Sequence, residues 1–164
     1  MSSAHKNLSD YSPEGVSAKG MTFGIVVSEW NHEVTETLFE GARKALTDLG
    51  ADEKDLHRLN VPGSYELPLG AKWLAEQLKP SAVICLGCVI QGETRHFDFI
   101  CEAVANGLMQ LNLSAGIPFV FGVLTPDTMQ QALDRAGGIH GNKGIEAAVT
   151  AVKMADRKNS LRTS

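Results

Sequence analysis

Strand-like and helix-like patterns alternate along this chain. Four short stretches read as strands: residues 21–28 (MTFGIVVS), 55–61, 82–86 (AVICL) and 118–124 (PFVFGVL). The third has no apolar–polar alternation, as expected of a parallel strand buried on both faces, and Gly87 is expected to end it. Between the strands, apolar residues recur at helical spacing. Val34, Leu38, Ala42, Ala45, Leu46 and Leu49 form one stripe, with Asn31 as the predicted N-cap and Gly50 as the stop. Residues 67–78 predict a second helix with Leu69, Trp73 and Leu74 facing inward. A third runs from about Thr94 to Leu111 on Ile100, Val104, Leu108 and Leu111. Thr125-Pro126-Asp127 opens a further helix through Leu133 and Ala136, and Asn142 caps a last one carrying Ile145, Val149 and Val152.

This alternation predicts an α/β fold: a three-layer α/β/α sandwich around a flavodoxin-like, four-stranded parallel sheet. Residues 1–20 are polar and rich in Ser, Gly and Pro and read as an N-terminal arm. Residues 21–156 form a single domain, and residues 157–164 a polar C-terminal tail. Ligands of such sheets sit at the carboxyl ends of the strands, which selects residues 28–31, 62–66, 87–96 and 124–127 as one rim.

Composition narrows the partners. With 164 residues, 43% apolar and 21% charged, the chain has the make-up of one globular domain with a real core. Its formal charge of -4, without a basic block, argues against nucleic acid or a membrane surface. No apolar stretch approaches transmembrane length, and the opening MSSAHKNLSDYS lacks the apolar core of a signal peptide, so the expected compartment is the cytoplasm. Cys85 and Cys88 have CxxC spacing, but Cys85 lies inside a strand and no second pair completes a zinc site. Together with Cys101 they are expected to be reduced thiols, with no metal centre.

The chemistry gathers after the third strand. Gly87-x4-Gly92-Glu93-Thr94 approaches the triphosphate loop GxxxxGK[ST], but Glu93 stands where the lysine belongs and would repel a triphosphate. A single phosphate, held by backbone N–H groups and the Thr94 hydroxyl, fits better. His96 follows within one turn, and an imidazole can shuttle protons near neutral pH; the plainer reading is a solvated surface histidine. Trp30 can stack on a flat heterocycle or fill a core or interface. Glu66 can accept hydrogen bonds from hydroxyls or cap a helix start. Arg135 can clamp a phosphate or remain a solvated charge, and Lys143 is open between structural and ligand-directed roles.

Four ordered motifs then coincide: Ser28-Glu29-Trp30-Asn31; Val61-Pro62-Gly63-Ser64-Tyr65-Glu66-Leu67-Pro68; the run from Gly87 to Asp98; and Arg135-Ala136-Gly137 followed by Gly141-Asn142-Lys143-Gly144. Together, over about residues 20–156, they resemble the lumazine synthases. The resemblance implies a condensation without cofactor or metal. In it, 5-amino-6-(D-ribitylamino)uracil and 3,4-dihydroxy-2-butanone 4-phosphate give 6,7-dimethyl-8-ribityllumazine, inorganic phosphate and water. It implies that Trp30 stacks on the pyrimidine, that Ser64 and Glu66 hold the ribityl chain, and that Cys88, Val89 and Ile90 border the ring through backbone groups. Asn31, Tyr65 and Lys143 join the same substrate site, and Phe121 closes it from the next subunit. Glu93, Thr94 and Arg135 bind the phosphate, and His96 transfers protons.

One departure stands out. Where the family usually has a lysine between Arg135-Ala136-Gly137 and the Gly-Asn-Lys motif, this chain has Ile139, which removes a positive charge near the phosphate clamp. The alternative function is therefore a shell or heterocycle-binding protein with impaired catalysis. The resemblance also implies pentamers, and the short turn at residues 137–141 is similar to that of members that build 60-subunit shells.

Overall fold

The computed structural model describes residues 7, 9–10 and 15–162; residues 1–6, 8 and 11–14 of the expected arm lie outside the described residues. Four parallel strands form the central sheet in the order β2–β1–β3–β4: β1 (Phe23–Ser28), β2 (Leu56–Val61), β3 (Ala82–Cys88) and β4 (Phe119–Leu124). Helices α1 (His32–Asp48) and α5 (Lys143–Arg162) cover one face, and α2 (Leu67–Leu78) and α3 (His96–Ala115) cover the other. The short helix α4 (Met129–Asp134) leads into a two-stranded ribbon, β5 (Ala136–Gly138) and β6 (Gly141–Asn142). The three-layer α/β/α sandwich is therefore present, with the strand order of a flavodoxin-like sheet.

Each face of the sheet has its own core, because β1 and β3 are buried along their whole length and send alternate side chains to opposite sides. Phe23, Ile25, Val27, Ile84 and Leu86 meet Leu38, Ala42, Leu46, Ala148 and Val152 on the α1/α5 side. Val26, Val83, Cys85 and Val123 meet Leu67, Ala71, Leu74, Val104 and Leu108 on the other. Edge strand β2 is only half-buried; Arg58 ties it to α1 by a bidentate ion pair with Glu36, its guanidinium 4.3 Å from the centre of the Phe39 ring. Of the expected arm, Val16 packs against the first core and Ala18 is fully buried within it, its N–H bonded to Leu49 O at 2.8 Å. The polar stretch after Arg157 is helical as far as Arg162, as the end of α5.

Four local expectations change. Leu69 and Trp73 do not face inward: they are 50% and 56% exposed, and the buried stripe of α2 is Leu67, Gly70, Ala71 and Leu74. That stripe contains two small residues because a Cβ on Gly70 would already stand 2.8 Å from Val61. Gly87 does not end β3, which continues through Cys88. It is glycine because a Cβ there would lie 2.6 Å from Ser64 Oγ and 2.9 Å from Leu67 Cδ1. The helix expected to open at Thr125 starts at Met129, capped by Thr128, whose Oγ1 accepts from Gln131 N at 3.2 Å. Ala136 belongs to the ribbon rather than to that helix.

Asn31 is the fourth. It occupies the N-cap position of α1, but its side chain makes no cap hydrogen bond, and its backbone is left-handed at φ 58°, ψ 45°. Asn is among the few non-glycine residues that enter this region readily. The twist frees the side chain to act elsewhere.

Candidate functional site

In a sheet of order β2–β1–β3–β4, the chain leaves β1 toward one edge and β3 toward the other, so a crevice opens between their carboxyl ends. Asn31 spans it. Its Nδ2 donates to Cys88 O at 2.9 Å, joining the start of α1 to the end of β3. Further backbone bonds fix the rim: Glu29 N and Trp30 N donate to Val61 O and Pro62 O at 2.9 and 3.2 Å. Val89 N and Gln91 N donate to Leu124 O and Pro126 O at 2.9 and 3.0 Å. The segment 124–127 therefore supports the rim from behind and does not line the crevice.

The crevice is an open hollow of about 770 Å³. Trp30 and Asn31 come from the β1–α1 junction, and Ser64, Tyr65 and Glu66 from the single 3₁₀ turn after β2. Cys88, Val89 and Ile90 come from the end of β3, and Thr94 and His96 from the start of α3. Ten residues singled out from the sequence thus share one wall. Trp30 is 74% exposed, so its indole is surface held over the hollow rather than core. Ser64 is buried, and Glu66 is half-buried beside the Pro62-Gly63 turn. His96 is the first residue of α3, and its backbone N–H points to Thr94 Oγ1 at 3.4 Å. Arg95 pairs with Asp98 at 3.6 Å and lies 6.0 Å from the centre of the Phe99 ring, holding the first turn together.

Four other expected residues lie apart. Glu93 is exposed on the loop between Gly92 and Thr94, off the wall. Phe121 projects from edge strand β4 on its α3-facing side, partly exposed. Arg135 ends α4, and its carbonyl accepts from Lys143 N at 2.8 Å, so the two cations are neighbours through their backbones. Lys143 Nζ pairs with Glu146 at 2.7 Å. None of these four lines this chain's own hollow. Conversely, Phe97 and Phe99 line it and were not singled out, and Ile100, expected in the apolar stripe of this helix, lines it as well. The signal was present: an aromatic-rich first turn directly after the glycine loop cannot turn wholly into the core.

The thiols behave as structural groups. Cys85 and Cys88 stand on opposite faces of β3, one in each core, so their CxxC spacing cannot make a dithiol. Burial pushes the Cys88 thiol up to about 12 and that of Cys85 higher still. Cys101 is also raised, by partial burial and then by the Asp98 carboxylate. Native protein treated with iodoacetamide at pH 8 is expected to leave Cys85 and Cys88 unlabelled in peptide mass maps; labelling at Cys88 would show that the crevice opens to its sulfur.

A second hollow, of about 880 Å³, lies at the amino-terminal edge of the sheet between the ends of α2, α3 and α5. It is away from the strand crossing and gathers no motif residue beyond apolar floor and lysine rim.

The family model for 6,7-dimethyl-8-ribityllumazine synthase matches residues 20–159, which contain both the sheet and every wall of the crevice. A curated protein of that name from Cytophaga hutchinsonii is 60% identical over 154 residues, covering 94% of this chain and 97% of its own length. Others from Flavobacterium psychrophilum and Parabacteroides distasonis are 54% and 53% identical, covering 94% and 95% of this chain and 82% and 98% of theirs. Matches of this identity across nearly the whole fold leave one assignment: the chain belongs to the 6,7-dimethyl-8-ribityllumazine synthase family.

Proposed function

We infer that the chain is a transferase of riboflavin biosynthesis that condenses 5-amino-6-(D-ribitylamino)uracil with 3,4-dihydroxy-2-butanone 4-phosphate to 6,7-dimethyl-8-ribityllumazine. The observation that carries this reading is the meeting, at one strand crossing, of an exposed tryptophan, a hydroxyl–carboxylate pair and a Thr–His helix start. In the proposed roles, Trp30 stacks on the pyrimidine, Ser64 and Glu66 hold the ribityl chain, and the backbone of Cys88, Val89 and Ile90 reads the ring edge. Asn31 and Tyr65 complete that wall. Glu93 N–H, the Thr94 hydroxyl and the Arg135 guanidinium take the phosphate of the second substrate. Imine formation, loss of phosphate and ring closure each move a proton, which is the task given to His96. Residues 21–156 are the unit proposed to do this.

The family implies small-molecule substrates and oligomeric assembly. The finer proposal is a pentamer, with twelve pentamers in a 60-subunit shell, in which Phe121, Arg135 and Lys143 of one subunit serve the crevice of the next. Support comes from their position away from this chain's own crevice, and from apolar side chains left exposed on α2 and α3: Leu69, Trp73, Phe99, Met109 and Leu113. Sedimentation of the purified protein tests it. Cytoplasmic location is proposed on the free thiols of Cys85, Cys88 and Cys101. Among the described residues, no helix is long and apolar enough to cross a membrane.

The test is product formation at pH 7 from the two substrates, followed by lumazine absorbance and fluorescence, for the native chain and Ile139→Lys. Ile139 is 78% exposed in the β5–β6 turn, four residues after Arg135, so the substitution needs no repacking. Both are expected to turn over, with the lysine variant showing a KM for the butanone phosphate lower by about two- to fivefold, the worth of one exposed charge near a phosphate. An inactive native chain beside an active lysine variant would favour the assembly role. Inactivity of both, in folded and assembled protein, would overturn the reaction.

A further inference from the structure

We propose that Asn112 is a positioning residue for Phe121, fixing the start of β4 so that this ring closes on the first substrate in the crevice of the next subunit. Asparagine is a poor helix former, yet Asn112 lies inside α3, four residues before the left-handed Gly116 ends it. Its amide is fully engaged. Nδ2 donates to Leu108 O at 2.9 Å and to Phe119 O at 2.8 Å, and Oδ1 accepts from Phe119 N at 2.9 Å. The first bond spans one turn of the helix. The other two cross to β4 and take both backbone groups of a single residue.

That pair does what a neighbouring strand would do. β4 is an edge strand, lying next to β3. Val83 N donates to Pro118 O at 2.8 Å, so the N–H and C=O of Phe119, one residue on, point to the open side. Asn112 satisfies both there. On the other side β4 is already seated as closely as it can be: a Cβ on Gly122 would stand 2.6 Å from Leu86 Cδ2 and 2.9 Å from Cys85 O. The strand is therefore pressed on β3 along one edge and pinned by Asn112 along the other. Phe119 and Phe121 are two residues apart and share a face. Phe119 is 4% exposed within the α2/α3 core, whereas Phe121 is 38% exposed beside it. One ring anchors the face, and the other is presented from it by a backbone fixed two residues earlier. A ring that must lie against a flat heterocycle depends on such orientation more than a charge clamping a phosphate does.

The inference rests on the role proposed above for Phe121. Its test uses the full assembled chain with Asn112→Ala, Asn112→Asp, Phe121→Ala and the double alanine. Val104→Ala, at a fully buried position of α3, controls for lost packing. Asn112→Ala is expected to raise KM for the ribitylaminouracil about three- to fivefold, with kcat and KM for the butanone phosphate within about twofold. Product binding, read by lumazine fluorescence, weakens in step. Asn112→Asp keeps the shape and the acceptor but loses both donated bonds, so it follows Asn112→Ala. Phe121→Ala loses at least as much, and the double variant is no worse than Phe121→Ala. Val104→Ala lowers Tm without moving either KM. Native KM in both Asn112 variants would overturn the proposal. So would equal losses for both substrates, additive losses in the double variant, or the same KM rise in Val104→Ala. Failure of both Asn112 variants to fold would make the residue a purely structural staple and overturn it too. Native KM and product binding in Phe121→Ala would defeat the role of Phe121, and this proposal with it; an impaired Phe121→Ala beside native-like Asn112 variants would defeat this proposal alone.

Discussion

His96→Ala is expected to lower kcat about 10²- to 10³-fold while leaving both KM values within about threefold and the reaction still measurable. General acid–base assistance from a positioned side chain contributes about 10²–10⁴-fold. Holding two reactants in register contributes more, and that part resides in the crevice walls. The structure separates the two. The imidazole is exposed at the first residue of α3, whereas the walls come from the ends of β1, β2 and β3, fixed by bonds such as Asn31 Nδ2 to Cys88 O and Trp30 N to Pro62 O. Removing an exposed side chain at a helix start disturbs none of these. The measurement is steady-state kinetics against each substrate, with the assembled state checked by sedimentation. A folded, assembled variant with no detectable rate would mean that His96 carries the chemistry nearly alone, and the weight placed on proximity would be wrong. A variant with native kcat would remove His96 from the mechanism.

Gly144→Ala is expected to destabilise the protein by about 2–4 kcal/mol, or to prevent soluble expression. Two effects oppose one another. Alanine in a helix is favoured over glycine by about 1 kcal/mol, and Gly144 lies in the first turn of α5 without a positive φ. Against this, a Cβ at Gly144 would stand 1.9 Å from Leu38 O and 2.7 Å from Leu38 C, both backbone atoms of α1. Backbone cannot rotate away, so the two helices must part by about an ångström, and with them the clamp in which Asn142 joins Thr37 O at 2.9 Å to Gly144 N at 2.8 Å. The Leu38, Ala42 and Ala148 packing beneath would loosen together. Thermal midpoints at one heating rate check this, with Gly92→Ala as control, since nothing lies within 4 Å of a Cβ there. A midpoint drop smaller than about 2 °C in Gly144→Ala would show that α1 and α5 slide apart cheaply.

Much of the architecture was legible in local pattern. The α1 stripe from Val34 to Leu46 is buried as its spacing predicts, because an amphipathic period of 3.6 residues already states which face meets a core. The continuous apolar run of β3 marked a strand with partners on both sides, and it lies between β1 and β4. Asn142 caps α5 as expected, its Oδ1 accepting from Gly144 N, because capping depends on residues two or three positions apart. Trp30, Ser64, Glu66, Thr94 and His96 were legible as a group, since the carboxyl-end rule assigns strand-end loops to one rim once the strands are known.

What the sequence alone determined, then, is whatever depends on neighbours along the chain: the alternation of elements, most of their buried faces, and three of the four rim segments, which gather ten of the expected site residues. Tertiary structure alone decided the rest. Leu69 and Trp73 face outward because the contact with β1 and β2 is too close for anything larger than Gly70 and Ala71, and a helical period does not reveal how near its partner lies. Gly87 reads as a turn in the sequence but is a space left for two serine hydroxyls arriving from other elements. Asn31 gives up its cap to cross the crevice to Cys88, 57 residues away, a bond that exists only once β1 and β3 lie side by side. Each of these is a distance between segments remote in sequence, set by how the layers pack.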